Sequence, residues 1–473
     1  MKLCLKIRTF FLKALGKKIG REIVGGMVLL SLSGFFVKVM GAFNWVFLSR
    51  IIGGEGMGLY QMAYPFYLIA LTLSCSGTPT AIALIVAECL NEKKYSKVRE
   101  IFRVSLLMFL AIGVFFSVSI FLLAGLFVKY HLLRDPRAYY SIIALAPAVP
   151  FVTLLACFRG YFQGCSFMLP LAMTDIVEQG VRIVTMLCFA RLFMSQGIGY
   201  AAGGASLGAA FGGMAGLAVM LYFYRKKQQK RQGNIVQEER ETEHLCTSDI
   251  LRQIWHSALP FIFVNLLIPL VAIMDSLLIP NRLAVAGYSI KEGTILFGYY
   301  TGVALPLITA STIFSTALIT RLMPLIVSYR VLKNNSKIRE QTRWSCFLAL
   351  GIAFPIYMGL YFGGELIARI IYNAQEAGKI IQIMSIGVLA LSVYQVTAGV
   401  LQGLRQVRLL CQSILLSAFC KILCNYVLVG NPSYGICGAA WGTNVDYTIG
   451  AILNLYYIYR TTRSNMWFIK GQK

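Results

Sequence analysis

Charged residues are scarce in this sequence, and acidic residues are the scarcest. Asp, Glu, Lys and Arg make up 13% of the 473 residues, with 19 acidic residues against 44 basic ones. A soluble domain usually has about 25% charged residues. The composition therefore argues against a soluble globular protein.

Residues that bind metals or form covalent intermediates are also few or poorly placed. There are three histidines, and the 12 cysteines are scattered, mostly within apolar segments, without a CxxC pair. Cysteine in this pattern is typical of a small packing residue rather than a metal ligand or disulfide partner. Walker and HExxH motifs are missing from the sequence. We therefore expect a protein that is not an enzyme, with no catalytic residues, no cofactor and no metal site.

Apolar length is what the sequence has in abundance. Hydrophobic residues make up 58% of the chain, and the mean hydropathy is +0.69. Apolar runs of about 20 residues are long enough to cross a bilayer as helices. The first apolar segment begins near residue 23 and is longer than the roughly 7–15 apolar residues of a signal peptide. The sequence therefore predicts an all-α, polytopic membrane protein of about 12 transmembrane helices.

The excess of positive charge predicts topology rather than a nucleic-acid partner. The formal net charge is +25, and most basic residues fall in every second loop along the predicted spans. Loops rich in Lys and Arg stay on the cytoplasmic side of a membrane. We expect a multi-pass protein of the cytoplasmic membrane with both termini in the cytoplasm. Attraction to membrane lipids follows as a secondary effect.

The predicted organisation has two lobes joined by a hydrophilic linker. Its segments are a basic leader at 1–22, a six-helix lobe at 23–223, a cytoplasmic linker at 224–253, a second six-helix lobe at 254–460, and a cytoplasmic tail at 461–473. Within the first lobe, the glycine-rich stretch 49–65 predicts a tight outer turn between spans 1 and 2.

The second lobe repeats features of the first. Gln163-Gly164 matches Gln402-Gly403 at an offset of 239 residues. The last helix of each lobe shares five positions at an offset of 234, namely Tyr200/Tyr434, Gly204/Gly438, Gly208/Gly442, Gly216/Gly450 and Tyr222/Tyr456. Two such repeats, related by an axis along the membrane normal, predict a substrate site in a central cavity at their interface.

Charged residues inside the predicted spans are the candidate site. A charge at mid-bilayer costs roughly 2.5–3.5 kcal/mol on insertion scales, so it should face a cavity or a partner. Asp175, Glu178 and Arg182 lie on one face of span 5, and Glu178 and Arg182 are spaced for an ion pair. Arg182 corresponds to Lys421 in the repeat, and Lys38 lies about halfway through span 1.

Two interpretations of these charges remain open. In the first, Lys38, Arg182 and Lys421 converge on an anionic substrate in the central cavity. In the second, they pair across the lobes with carboxylates. The candidate carboxylates are Asp175, Glu178, Asp275 and Asp446. Asp275 and Asp446 could also titrate during transport, or belong to a polar network.

Two blocks of sequence are similar to those of a known family. SRIIGGEGMGLYQMAYP with GTPTAIALIVAE, and PLVAIMDSLLIPNRL with GYYTGVALPL, resemble the stage V sporulation protein B family. This family lies in the lipid II flippase branch of the multidrug/oligosaccharidyl-lipid/polysaccharide exporter superfamily. The resemblance implies two six-helix lobes and transport of an undecaprenyl-linked oligosaccharide or peptidoglycan precursor, including for the spore cortex. It further implies cell-wall synthesis proteins as partners.

The resemblance also implies roles for basic residues of span 1. Similar flippases hold the pyrophosphate with such residues, and Lys38 and Arg50 match that pattern by position. Asn44 stands where the lipid II flippases have an arginine. Topology puts Arg50 at the outer face, as a gate or exit-side contact paired with Glu55. The predicted count ends at span 12, where many relatives have fourteen.

Two other functions fit the same residues. One is a cation-coupled multidrug exporter of the same superfamily, with Asp275 as the coupling carboxylate. The other is a non-transporting scaffold of a cell-wall synthesis complex.

Overall fold

The computed structural model describes residues 18–463 except 93, 131–132 and 233–246, and within that part all regular structure is helical. The all-α prediction is confirmed. Most of the predicted leader and tail, and the middle of the predicted linker, lie outside the described residues.

Fifteen α-helices make up the two lobes. The first lobe contains α1 (Lys18–Cys75), α2 (Thr78–Asn91), α3 (Tyr95–Lys129), α4 (Ala138–Leu145), α5 (Ala148–Gly164), α6 (Leu169–Leu192), a 3₁₀ turn (Phe193–Gln196) and α7 (Ile198–Gln232). The second contains α8 (Thr247–Val285), α9 (Ile290–Gly298), a π-helical turn (Tyr299–Ala304), α10 (Leu305–Ser311), α11 (Ile313–Val331), α12 (Asn335–Tyr372), α13 (Ala377–Gly403), α14 (Val407–Val429) and α15 (Ile436–Arg463).

The described helices are roughly consistent with the twelve predicted spans. Nine helical stretches of the described residues are long and apolar enough to cross a membrane, and the first, 32–91, contains both spans 1 and 2. Span 4 is built from α4 and α5, and span 8 from α9 to α11. Helices α7 and α8 both extend into the range predicted as linker.

Spans 1 and 2 reverse at one glycine, which corrects the predicted turn at 49–65. Gly53 has φ 62° and ψ −172°, and the residues on both sides of it are helical. The rings of Trp45 and Tyr60 have centroids 5.8 Å apart, whereas 15 residues of straight helix would separate them by roughly 22 Å. Glycine tolerates this backbone conformation because it has no Cβ. The hairpin therefore needs no loop.

Spans 2 and 8 are both broken near their middle. Span 2 breaks at Gly77, where φ is 78°, and span 8 breaks at Thr312, between α10 and α11. The breaks correspond closely at the 234-residue offset, since Gly77 aligns with Ser311. Broken helices free backbone polar groups and are associated with binding sites in transporters.

The packing of the repeated glycines is also repeated. A methyl group on Gly208 would lie 2.9 Å from the Arg182 carbonyl oxygen, and one on Gly442 would lie 3.4 Å from that of Lys421. Arg182 and Lys421 are themselves equivalent at the 239-residue offset. The two lobes therefore pack their last two helices alike. Two further glycine contacts are repeated in the same way. Gly204 packs on Phe189 as Gly438 packs on Leu428. Gly216 packs on Leu155 as Gly450 packs on Tyr394.

The lobes meet at the end of the bundle that contains Gly53, here called the kink end. A methyl group on Gly58 would overlap the backbone carbonyl of Thr294 in α9. The Thr294 hydroxyl donates to Asp135 Oδ2 at 3.0 Å, and Gln61 Nε2 donates to the Thr301 carbonyl at 3.1 Å. The kink end is therefore closed. By the distribution of basic loops it is predicted to be the outer end.

Candidate functional site

A four-residue charge cluster lies inside the first lobe, between α5 and α6. Arg159 Nη2 donates to Asp175 Oδ1 at 2.7 Å and to Glu178 Oε2 at 2.9 Å. Arg182 Nη2 donates to Glu178 Oε1 at 2.6 Å, which confirms the predicted ion pair in span 5. We call Arg159, Asp175, Glu178 and Arg182 the N-cluster.

Sequence reasoning missed Arg159. The predicted span 4 ended near residue 158, which left this arginine just beyond the helix. In the structure α5 continues to Gly164, so Arg159 lies within the helix and reaches α6. The missed signal was Asp175, which has no basic residue three or four positions away in its own helix.

The N-cluster is only partly enclosed. The exposed fractions of the side chains are 34% for Arg159, 28% for Arg182 and 13% for Glu178. Small residues of α7 make room for the cluster, since a methyl group on Gly216 would lie 3.4 Å from Glu178 Cβ. The cluster therefore borders open space within the lobe.

Lys38 lies at the depth of the N-cluster and is exposed. A methyl group on Gly41 would be 3.6 Å from Gln179 Nε2, and one on Gly180 would be 3.7 Å from Met40 Cε. Span 1 therefore runs beside α6. Three residues of helix correspond to about 4.5 Å, so Lys38 is level with the Asp175–Glu178 turn. No ion pair of Lys38 is found within the described part of the chain.

A second cluster is buried in the other lobe. Lys421 Nζ lies 2.6 Å from Asp275 Oδ2, and Asn425 Nδ2 donates to Asp275 Oδ1 at 3.0 Å. Asp446 follows Gly442 by one helical turn in α15, and a methyl group on Gly442 would lie 3.4 Å from the Lys421 carbonyl oxygen. The Lys421 and Asp275 side chains are 7% and 11% exposed. We call Asp275, Lys421, Asn425 and Asp446 the C-cluster.

The pairing of the predicted cations is within lobes rather than across them. Arg182 pairs with Glu178 in the first lobe, and Lys421 pairs with Asp275 in the second. Lys38 remains without a carboxylate partner in the described residues. Neither open interpretation therefore describes all three cations.

Arg50 connects the two lobes at the kink end. Its Nε donates to the Ile371 carbonyl at 2.8 Å, and its Nη2 donates to the Ile370 carbonyl. Both carbonyls belong to the last turn of α12, whose C-terminal carbonyls have no intrahelical partner. A cation at this position also complements the helix dipole.

The predicted pairing of Arg50 with Glu55 is wrong. Glu55 Oε1 accepts from Arg137 Nη1 at 2.6 Å, and Lys291 Nζ of the other lobe lies 3.9 Å from Glu55 Oε2. Arg137 also donates to Asp135 Oδ2 at 2.8 Å. The hydrogen bonds to Asp135, followed by that to Glu55, raise the pKa of Arg137, which lies outside the membrane spans. Arg137 reaches Glu55 because the sharp turn at Gly53 brings Glu55 onto the 134–137 connection.

Comparison of the sequence with known proteins shows which family it belongs to. A family model described as polysaccharide biosynthesis protein matches residues 23–330. Stage V sporulation protein B of Bacillus subtilis (strain 168) is 30% identical over 419 residues, which cover 88% of this chain and 79% of that protein. The chain belongs to the polysaccharide biosynthesis protein family.

Solved structures agree with the fold. An inward-facing multidrug resistance MATE family transporter of the MOP superfamily matches with a TM-score of 0.73 at 12% identity, covering 94% of this chain and 99% of that one. The lipid II flippase MurJ in an inward closed conformation matches with a TM-score of 0.66 at 14% identity, covering 91% and 87%. This family member therefore has the all-α fold of MOP superfamily transporters.

Proposed function

We propose that the protein is a flippase that moves a lipid-linked oligosaccharide or peptidoglycan precursor across the cytoplasmic membrane by alternating access. The observation that carries this proposal is the positive charge inside the first lobe. Lys38, Arg159 and Arg182 are three cations against the two carboxylates of the N-cluster, which leaves one net positive charge. An undecaprenyl-linked precursor brings a diphosphate, the anion that such a site suits.

The closed kink end supports the direction of transport. With the lobes in contact there, substrate loads from the opposite end, which the basic loops predict to be cytoplasmic. Release requires the lobes to part at the kink end. That step breaks the hydrogen bonds from Arg50 to the α12 carbonyls and from Thr294 to Asp135. Arg50 then becomes free to contact the departing diphosphate.

Single substitutions of Lys38 and Arg50 test the proposal. We expect Lys38→Ala to lower the exposure of precursor at the outer surface by about tenfold or more, since losing one charge contact of about 1.4 kcal/mol has that effect. Arg50→Ala should lower it too, through the exit step. The measurement is the amount of precursor accessible to an external enzyme in cells. Arg103→Ala is the matched control, because Arg103 is an exposed arginine of α3 outside both clusters. Unchanged exposure in both Lys38→Ala and Arg50→Ala would remove these roles.

The exporter alternative loses its best candidate residue. It requires a carboxylate that titrates during transport, and Asp275 is engaged by Lys421 and Asn425. Asp446 is the remaining choice in the C-cluster. A drug whose accumulation rises when the gene is removed would favour the exporter. The four predicted substrate contacts are Lys38, Arg50, Arg182 and Lys421. If the protein keeps its cellular function after all four are neutralised, the scaffold is favoured.

A further inference from the structure

The two arginines of the N-cluster use few of their hydrogen-bond donors. A guanidinium carries five N–H groups. Arg159 and Arg182 bond their carboxylate partners through Nη2 alone. The Nη1 groups make no hydrogen bond to a described residue, and both Nε atoms are buried without an acceptor. Most of these donors therefore have no acceptor among the described residues.

Unfilled buried donors are costly in a purely structural ion pair. A buried N–H without an acceptor is destabilising, and the N-cluster contains two of them, on Arg159 and Arg182. An ion pair that only joined α5 to α6 would be expected to satisfy its donors and exclude water. Instead, about a third of each arginine side chain is exposed. The arrangement suits a site in which a bound anion supplies the acceptors for these arginine donors.

Glu178 already occupies the centre of that site as an anion would. Its two carboxylate oxygens each accept from a different arginine, Oε2 from Arg159 and Oε1 from Arg182. Two guanidinium groups bridged by one anion is a geometry suited to phosphates, whose oxygens accept charge-assisted hydrogen bonds from arginine. A diphosphate offers more oxygens than one carboxylate and could fill the donors that Glu178 leaves free.

We propose that Arg159 and Arg182 form a diphosphate-binding site in which Glu178 is the resident competing anion. In the empty site Glu178 holds both guanidinium groups. When a diphosphate enters, its oxygens accept from the free Nη1 and Nε groups, and Lys38 adds a third cation at the same depth. The identity of the transported diphosphate rests on the proposed function. Binding of a diphosphate does not depend on transport.

The resident carboxylates also set the strength of binding. Asp175 and Glu178 cancel two of the three positive charges around the site, so a diphosphate is held less tightly than by the cations alone. A site that must release its cargo on the other side of the membrane requires this moderation. Removing a carboxylate should therefore tighten binding, which is the opposite of what a structural ion pair predicts.

The test is titration of inorganic pyrophosphate into the purified full-length protein in phosphatidylcholine nanodiscs, followed by calorimetry. We expect Arg159→Gln to weaken binding about tenfold or more, consistent with loss of one charge-assisted contact of about 1.4 kcal/mol. Glu178→Gln should tighten it about fivefold or more. Arg159→Lys should fall between wild type and Arg159→Gln, because it keeps the charge and loses the planar fork. Arg103→Gln should bind as wild type does.

Several outcomes overturn the proposal. These are no measurable binding by the wild type, equal affinity in a folded Arg159→Gln variant, or weaker binding in Glu178→Gln. Thermal unfolding of each variant establishes that it is folded. If Arg159→Gln does not fold, the affinities of Arg159→Lys and Asp175→Asn for pyrophosphate replace it as the test. Unchanged affinity in both variants would overturn the proposal.

The same variants separate this site from the transport function. Weakened pyrophosphate binding in Arg159→Gln with normal precursor exposure would retain the site and remove the flippase proposal. Lost precursor exposure with unchanged pyrophosphate binding would retain the flippase and remove the site.

Discussion

The ion pair between Lys421 and Asp275 shows how a single contact can hold a lobe together without touching substrate. Both side chains are almost fully buried, and the pair joins α14 to α8. Burying two charges costs solvation energy that their attraction only partly offsets. Each residue is therefore tolerable only because the other is present. Asn425 supplies the second hydrogen bond to Asp275.

Substitution at this pair should be strongly non-additive. We expect Lys421→Met or Asp275→Leu alone to lower the free energy of unfolding by about 3–5 kcal/mol, because each leaves one buried charge unpaired. The double variant should lose much less than the sum of the two single losses, since it removes both charges of the pair and leaves only the Asn425 donor without its acceptor. Detergent-induced unfolding of the purified protein measures all three. Additive losses in the double variant would argue that the residues act independently.

Single-residue patterns predicted one part of the two clusters and missed another. The i, i+3, i+7 spacing of Asp175, Glu178 and Arg182 predicted a shared helix face and one ion pair. The other contacts join separate helices. Arg159 is 16 residues from its partner Asp175, and Asp275 is 146 residues from its partner Lys421. Helix periodicity carries no information about such contacts, because they depend on how separate helices pack.

The helix hairpin of α1 depends on the backbone of Gly53 rather than on its surroundings. Nothing lies within 4 Å of where a Cβ of Gly53 would be, yet its φ is +62°. A side chain there meets no neighbour, so any penalty comes from the backbone conformation. The hairpin positions Glu55, Gly58 and Gln61 for their contacts at the kink end.

A matched pair of glycine substitutions isolates that backbone effect. Gly351, within α12, also has nothing within 4 Å and has no positive φ. We expect Gly53→Ala to destabilise the protein by about 1–3 kcal/mol, because φ 62° with ψ −172° is a backbone conformation that essentially only glycine adopts. Gly351→Ala should be neutral or stabilise by up to about 1 kcal/mol through helix propensity. Unfolding of both variants is the measurement. Equal effects would mean that the conformation of Gly53 is not what matters.

At this scale the sequence predicted the presence of a reversal but not its form. Four glycines lie within the stretch 49–65, and composition cannot tell which of them turns the chain. Only Gly53 takes a positive φ in that stretch. Gly54 and Gly58 serve a different purpose, because they allow close approach of α9 and the π-helical turn.

The two lobes share one packing pattern but differ in charge. The first lobe has Lys38, Arg159 and Arg182 against two carboxylates, whereas the C-cluster has Lys421 against Asp275 and Asp446. The interior of the first lobe is thus positive and open, and that of the second is negative and closed. An anionic head group therefore has one favourable lobe.

Closure of the lobes at the kink end should depend on the absence of a side chain at Gly58. We expect Gly58→Val to hold the lobes apart, because its side chain would overlap the Thr294 carbonyl. Spin labels at Met194 and Gln375, exposed residues of opposite lobes at this end, should then report longer distances by electron double resonance. Gly125→Val is the control, since nothing lies within 4 Å of Gly125. Unchanged distances in Gly58→Val would show that closure does not need this contact.

The repeat was the most predictive feature of the whole molecule. The offsets of 239 and 234 correctly related glycines that the structure packs in equivalent positions, because both reflect one helix arrangement used twice. Which end is closed could not be predicted. That depends on contacts between lobes, such as Gly58 with Thr294, for which no repeat or periodic pattern exists.

The change of offset between the repeats has an architectural consequence of its own. Subtracting 239 from Val429 gives residue 190, so α6, which ends at Leu192, is two residues longer than α14 at the kink end. Subtracting 234 from Ile436 gives residue 202, so α7, which begins at Ile198, starts four residues earlier than α15. At 1.5 Å per residue, the α6–α7 hairpin therefore extends roughly 3–6 Å further at the kink end than the α14–α15 hairpin of the second lobe. The two repeats thus differ in the length of this hairpin although they share its packing.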